Sequence, residues 1–382
     1  MKRLAIILML LFASTAYAAA LNMAVTFAGA GDGTGVSGAT LDWDNAMSLA
    51  QFTTDITDNA EAGDVYYIAA GTTYVLPAAT PITTAKSGTA AAPISLIGVK
   101  AGTTAEPPTT ADYAYGDARP YFDAATNTEA FSLINYWVIR NIRFITDGGG
   151  GIQVASNNRF ENVFAFNNKD SHTGYEALNF GGTTNSAISC EIQATGGTGI
   201  FLGTNGKVIN SYVHDCARGV YNTSYGNVIV NNVFDTCTVG VSISGAYGVS
   251  VIGNTFSTNT TGILATTAFD AVIVNNIFDE CTAPATWGTN NGINWFDYNS
   301  WDGRESENTN VTIGEHGIDS DITLNADFTV QASSAVLNAG LKLGPNTGIA
   351  GSEFKQNIGA DQDDNAAASG GGQHTTKQGG KQ

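Results

Sequence analysis

Between Val138 and Trp295 the chain repeats one short unit, and no other feature limits its fold as tightly. The clearest copies read Val228-Ile-Val-Asn-Asn-Val-Phe234, Val249-Ser-Val-Ile-Gly-Asn-Thr-Phe256 and Val272-Ile-Val-Asn-Asn-Ile-Phe278. Asn232, Asn254 and Asn276 recur every 22 residues, and Asn141 and Asn162 stand 21 apart upstream. A second marker keeps the same step: Gly199-Ile200, Gly219-Val220, Gly240-Val241 and Gly262-Ile263. Such a period marks a solenoid, in which each unit packs only on its neighbours.

Composition within one unit says which solenoid. Each holds three short runs rich in Val, Ile and Phe that alternate apolar with polar, separated by Gly, Asn, Thr and Ser. That is strand-and-turn chemistry, and no apolar stretch at helical spacing is long enough for a helix of about 10 residues. Three strands per coil define a parallel β-helix with coils roughly 4.8 Å apart, so that equivalent residues stack. The asparagines then need no function. Stacked amides hydrogen-bond along the column, and Asn tolerates a left-handed turn.

These repeats resemble those of right-handed parallel β-helix proteins of the pectate-lyase-like superfamily. The flanks agree. Trp43-Asp-Asn-Ala46 followed by Ala62-Gly-Asp-Val-Tyr-Tyr-Ile-Ala-Ala-Gly-Thr-Thr-Tyr74 resembles the capping helix and first strand of secreted members. Ser87–Gly98 resembles their second coil, and Asp327–Gly340 with Asn357-Ile-Gly-Ala360 their closing segment. The resemblance implies an all-β, single-stranded right-handed parallel β-helix with an N-terminal capping helix. The expected organisation is a signal peptide (1–18), cap and first coils (19–132), regular coils (133–300), a closing segment (301–362) and a disordered tail (363–382).

Met1-Lys-Arg3, the apolar run Leu4–Phe12 and Ala16-Tyr-Ala18 read as a secretory signal with cleavage after Ala18. The run is too short to span a bilayer, so a secreted or periplasmic protein without a membrane span is expected. The formal charge is −18, and losing Lys2 and Arg3 with residues 1–18 makes it −20. Such a chain does not bind nucleic acid through general electrostatics, and it repels a polyuronate unless cations or a basic patch intervene. Charged residues are only 13% of the chain, which leaves a polar, weakly charged surface that suits sugars and plain hydration alike.

Of four cysteines, Cys216, Cys237 and Cys281 share one column, with Asn259 in the missing place. Cys216 and Cys237, one coil apart, lie within disulfide reach; Cys281 is too far away and Cys190 occupies another turn, so one disulfide or none is expected. No cofactor is expected. Close Cys pairs are absent, and no aspartate cluster falls on the predicted groove strands to make a lyase-type calcium site.

In proteins of this resemblance ligands lie along the sheet that here carries the Gly-aliphatic strands. Alternation turns Ile200, Leu202, Val241, Ile243 and Ile263 inward and sets an outward column of Gln153, Asn179, Phe201, Tyr221, Ser242, Leu264 and Asn294. Phe201 and Tyr221 offer aromatic faces for sugar rings. One turn is long. The step from Asn162 to its counterpart near Cys190 is 28 residues, and the excess in Phe166–Glu176 brings Lys169, Asp170, His172, Tyr175 and Glu176 beside Asn179. The next coils add His214, Asp215 and Arg218 near Tyr221.

Two chemistries are open to that set. In a polysaccharide lyase Arg218 or Lys169 would neutralise a uronate, with Lys169, His172 or Tyr175 as base. A glycosidase would draw its two carboxylates from Asp170, Glu176 and Asp215. The catalytic candidates are thus Lys169, Asp170, His172, Glu176 and Arg218; the substrate contacts are Tyr175, Asn179, Phe201, His214 and Tyr221. The chain departs from the enzymes of the superfamily in lacking their signatures: Arg218 stands alone, and the only adjacent aspartates, Asp363 and Asp364, lie in the tail. The expected partner is an extracellular polysaccharide, bound with or without cleavage by one of these routes; the alternative is a non-catalytic structural or adhesive surface protein. The repeat specifies no oligomeric state. Trp295-Phe-Asp-Tyr-Asn-Ser-Trp301 is expected to seal the open end of the core, and Gly29–Gly35 to be an entry to the cap rather than a nucleotide loop.

Overall fold

The structure is a computed structural model that describes residues 20–334, apart from 27, 38–39, 77–80, 125–128, 148–149, 169–174, 289–294, 304–307, 311–313, 321, 323, 326, 329 and 332–333. The expected signal sequence and tail lie outside these residues. The coils form a right-handed parallel β-helix with three sheets of 11, 9 and 9 strands. The first sheet runs from Asn22–Val25 to Trp295–Asp297, the second from Thr73–Val75 to Ile277–Asp279, and the third from Ile82–Thr83 to Ala283–Trp287.

The cap sits slightly downstream of where the sequence placed it. Trp43–Asn45 is a single 3-10 turn, and the helix is Leu49–Asp58. Ser48 and Gln51 form a reciprocal capping box at its start, and Phe52 and Ile56 enter the core. Two of the four first-turn N–H groups would otherwise lack partners.

The asparagines occupy two adjacent columns at one turn. The buried column runs Cys190, Ser211, Asn232, Asn254, Asn276, Asn299, each backbone N–H donating to the side-chain oxygen of the next coil. Asn141 and Asn162 belong instead to the preceding column, where φ is 58° and 52° and where Ser189, Asn210, Asn231 and Asn275 also take left-handed backbone. One column saturates buried backbone groups; the other lets the chain turn.

The Gly-aliphatic marker has a packing cause. Phe234, Phe256, Phe278 and Trp301 stack along the core with centroids 5.0, 4.9 and 5.0 Å apart. A Cβ on Gly240 would lie 2.5 Å from Phe256 Cδ1, and one on Gly262 would lie 2.5 Å from Phe278 Cδ1. Only a residue without a side chain lets the strand close over that ring column. Trp301 and Phe296 are buried at the last coil, while Trp295 faces outward.

All four cysteines are buried free thiols. Cys216 and Cys237 are in register on neighbouring coils, Thr238 N–H donating to Cys216 O, and Asn259 Oδ1 accepts from Cys237 N–H as the column predicts. After the last coil, Ile318, Ile322, Leu324 and Val330 pack with Ile277 on the outside of the second sheet, and the Phe328 ring meets Tyr212 at 5.7 Å.

Candidate functional site on the third sheet

The strands Glu176–Phe180, Thr198–Leu202, Arg218–Asn222, Val239–Tyr247 and Thr261–Phe269 build the centre of the third sheet. Ile200, Leu202, Val241, Ile243 and Ile263 are fully buried, as alternation requires. The outward column is continuous: Gln153, Asn179, Phe201, Tyr221, Ser242 and Leu264 pair coil to coil. Its seventh member is Thr286 rather than Asn294: Thr286 follows Leu264 by one regular repeat, a step that Asn294 overshoots. Asn294 lies outside the described residues. A parallel column sets Glu176, Thr198, Arg218, Val239 and Thr261 in register.

The two columns converge around Tyr221. Its ring meets Phe201 edge-on, with centroids 5.8 Å apart and planes at 63°. The Arg218 guanidinium carbon lies 4.5 Å from the Tyr221 centroid, a cation–π contact that fixes the side chain across the sheet. Two coils away, Glu176 is buried, and its Oε2 accepts from Asn179 Nδ2 at 3.4 Å. Burial raises the Glu176 pKa, partly offset by its backbone hydrogen bond and by Asn179. Tyr175 precedes it, its carbonyl accepting from Thr198 N–H. The structure therefore brings together Glu176, Asn179, Phe201, Arg218 and Tyr221, with Tyr175 at the margin.

The long turn leads into this face. Phe164 pairs with Glu191 and Asn162 aligns with Ser189, so the enlarged step is 27 residues rather than 28. Lys169, Asp170 and His172 lie outside the described residues.

His214 does not join the site. It projects from the second sheet, stacks on Tyr212 at 4.4 Å, and places Nδ1 2.9 Å from Asp215 Oδ2 and Nε2 3.8 Å from Glu191 Oε1. Burial disfavours its charged form, but contacts with Glu191 and Asp215 outweigh this and raise its pKa. Glu191 is pulled down by His214, Arg119 and Arg143 against its own burial. Asp215 also accepts from Gln193 Nε2 at 3.1 Å, which commits it to this network and not to the Tyr221 face.

Two further groups of side chains repeat along the coils, and of their members the sequence reading singled out only Asp215. The corner between the second and third sheets carries Asp215, Glu280 and Asp302, while Asp235 and Asp279 stand in the His214 column at the end of the second-sheet strands. Asp279 is pushed up to about 6 by burial and, against the pull of Ser257, by the charges of Asp302, Glu280 and Asp235. The turn leaving the sheet carries Tyr225, Tyr247 and Phe269; the tyrosines are 59% and 53% exposed, and Tyr247 stacks on Phe269 at 5.0 Å. Their spacing equals the repeat, which is the signal that would have revealed them.

The Asp279 shift sets a pH-dependent stability. In the folded chain it holds its proton to about pH 6, whereas the unfolded side chain loses it near 3.8, so stability falls as pH rises between those values. Asp279→Asn is expected to raise the melting temperature above about pH 6 and to leave it unchanged below about pH 4. Equal melting temperatures at neutral pH would show that Asp279 is not strained.

Among the described residues, no three side chains of His, Cys, Asp or Glu are grouped as metal ligands, and no helix is long and apolar enough to cross a membrane. A family model for the right-handed β-helix region matches residues 176–329. The fold is similar to the crystal structure of pectate lyase Pel9A, with a TM-score of 0.53 and 16% identity over 91% of this chain and 97% of that one. It is also similar to an alginate lyase from Paenibacillus sp. str. FPU-7, with a TM-score of 0.50 and 14% identity over 71% of this chain and 97% of that one. No curated protein matches the sequence. At these identities the likeness is one of architecture: the chain has the right-handed parallel β-helix fold.

Proposed function

We propose that this is an exported protein that binds an extracellular polysaccharide along the outward face of its third sheet. The observation that carries the reading is the cluster of Phe201, Tyr221 and Arg218, in which two half-buried rings and a fixed guanidinium share one open sheet face. Rings supply apolar surface for sugar rings, and the guanidinium supplies N–H donors for hydroxyl or carboxylate oxygens. The two similar structures are a pectate lyase and an alginate lyase, which supports a polysaccharide as the class of ligand.

A second reading adds cleavage, and one observation favours it. Glu176 is a buried carboxyl with a raised pKa on the same sheet, one coil from Phe201 and two from Tyr221, and its protonated form is the state a proton donor to a leaving sugar oxygen needs. Without cleavage, the same face belongs to a non-catalytic surface protein.

The test is to incubate residues 19–382 with neutral and uronic polysaccharides, following affinity, reducing ends and the ultraviolet absorbance of unsaturated products. Replacing both Phe201 and Tyr221 with Ala is expected to weaken binding by about tenfold or more. Undiminished affinity in that folded variant would sink the binding reading. If Glu176 donates the proton, Glu176→Gln keeps affinity and slows product formation by about 10²–10⁴-fold.

A further inference from the structure

We infer that the ligand of this site is a branched polysaccharide, whose side chain lies on an aromatic arm of the third sheet formed by Tyr247 and Phe269. The inference rests on the proposed groove reading and specifies its ligand.

The arm is built into the sheet. Val239–Tyr247 and Thr261–Phe269 have nine residues each, whereas the strands on either side, Arg218–Asn222 and Ala283–Trp287, have five. The two long strands stay paired to their ends, Ala246 with Ala268 and Tyr247 with Phe269, across an irregularity at Gly245, where φ is 69°. Ile243, Ala246, Ala265 and Ala268 are fully buried, so the core continues beneath the extension. Alternation from Ala246 and Ala268 then turns Tyr247 and Phe269 outward, on the sheet face that carries Ser242 and Leu264.

The rings add nothing to that core. Tyr247 is 53% exposed and Phe269 half-buried, and the two stack with centroids 5.0 Å apart and planes at 15°. One coil earlier Tyr225 holds the same place: the N–H groups of Asn205, Gly226 and Gly248 donate in turn to the carbonyls of Tyr225, Tyr247 and Phe269. The coil before that puts Thr204 there, so the turn itself needs no ring. Ser244 and Thr267, paired with each other, add hydroxyls between the groove and the rings. Neither long strand contains a charged residue, and the first charge beyond them is Asp270. Rings with hydroxyls beside them and no charge between suit an uncharged sugar.

Position makes that sugar a branch. Phe201 and Tyr221 follow one another along the helix axis, and Ser242 and Leu264 continue the line. Tyr247 lies five residues beyond Ser242, and Phe269 five beyond Leu264, up to about 16 Å across the sheet at roughly 3.3 Å per residue. A backbone stacked along the axis passes both rings at a distance. Only a group that projects from it sideways meets them. Tyr225, on the coil of Tyr221, marks where this side path begins.

The test compares branched polymers with their own unbranched backbones: galactomannan with mannan, arabinoxylan with xylan, and xyloglucan with cello-oligosaccharides. Affinity for residues 19–382 is measured by titration. At least one branched polymer is expected to bind about tenfold or more tightly than its backbone. Replacing both Tyr247 and Phe269 with Ala should erase that gap by lowering affinity for the branched form, with circular dichroism reporting the fold. Tyr247→Ser alone is the milder variant and should narrow the gap. Equal binding of branched and linear forms overturns the inference while leaving the groove in place, and so does a gap that survives the double replacement. Self-association abolished by that replacement, with no gap between polymers, would assign the arm to a second copy of the chain instead. If no polymer binds, or if replacing Phe201 and Tyr221 with Ala changes nothing, the groove reading falls and takes this inference with it.

Discussion

Asn254→Ala is expected to lower the free energy of unfolding by about 3–5 kcal/mol, a large share of the roughly 5–15 kcal/mol typical of a folded domain. Asn254 is buried, and its Oδ1 accepts from the N–H and Nδ2 of Asn232 at 2.9 and 3.0 Å. Its Nδ2 donates to Ile229 O at 2.9 Å and to Asn276 Oδ1 at 3.0 Å. Alanine strands the Asn232 N–H away from water, takes a partner from the Asn232 and Asn276 amides, and removes one of the bonds to the Ile229 carbonyl. Each such orphan costs about 1–3 kcal/mol, and the methyl group restores nothing. Asn231→Gly is the control. Asn231 sits at φ 57°, a conformation glycine adopts freely, so its replacement should stay within about 1 kcal/mol. Urea unfolding of both variants measures the difference. Similar small losses would mean that the buried amides do not hold the coils together.

Phe256→Ala is expected to cost about 3–5 kcal/mol and Gly240→Ala about 1–3 kcal/mol, yet the double variant should be more stable than their sum by about 1 kcal/mol. Phe256 lies in the centre of the ring column, 5.0 Å from Phe234 and 4.9 Å from Phe278. Removing it opens a void. Adding a Cβ at Gly240 drives a methyl into the Phe256 ring at 2.5 Å and against the Gly262 carbonyl at 2.8 Å. With the ring absent, the first clash disappears and the methyl fills part of the void. The backbone clash remains, so the rescue is partial. Simple additivity in the double-mutant cycle would refute the claim that this glycine exists for that ring.

Most of the architecture was legible because a repeat makes register a matter of arithmetic. Phe201 and Tyr221 are neighbours in the structure because Gly199 and Gly219 mark the same position in successive strands. The errors arose where position along the chain does not report direction. His214 and Arg218 belong to one turn, but a corner separates them: His214 ends the strand Tyr212–His214 on the second sheet, and Arg218 begins Arg218–Asn222 on the third. Their side chains leave the coil on different faces. The asparagine columns were confused for a related reason, since adjacent positions carry the same residue type for different purposes. The capping helix, by contrast, carried a readable signal in Ser48-Leu-Ala-Gln51, the capping box.

From the sequence alone came the parallel β-helix, the inward residues and the aromatic pair, because all three follow from a period of 21 or 22 residues and the two-fold alternation of a strand. Two things were decided only by the tertiary structure. Arg218 lies on Tyr221, and Glu176 is buried beside Asn179. Each depends on how the chain bends at the corners between strands, where stacked neighbours from other coils set the direction of a side chain and the water left around it.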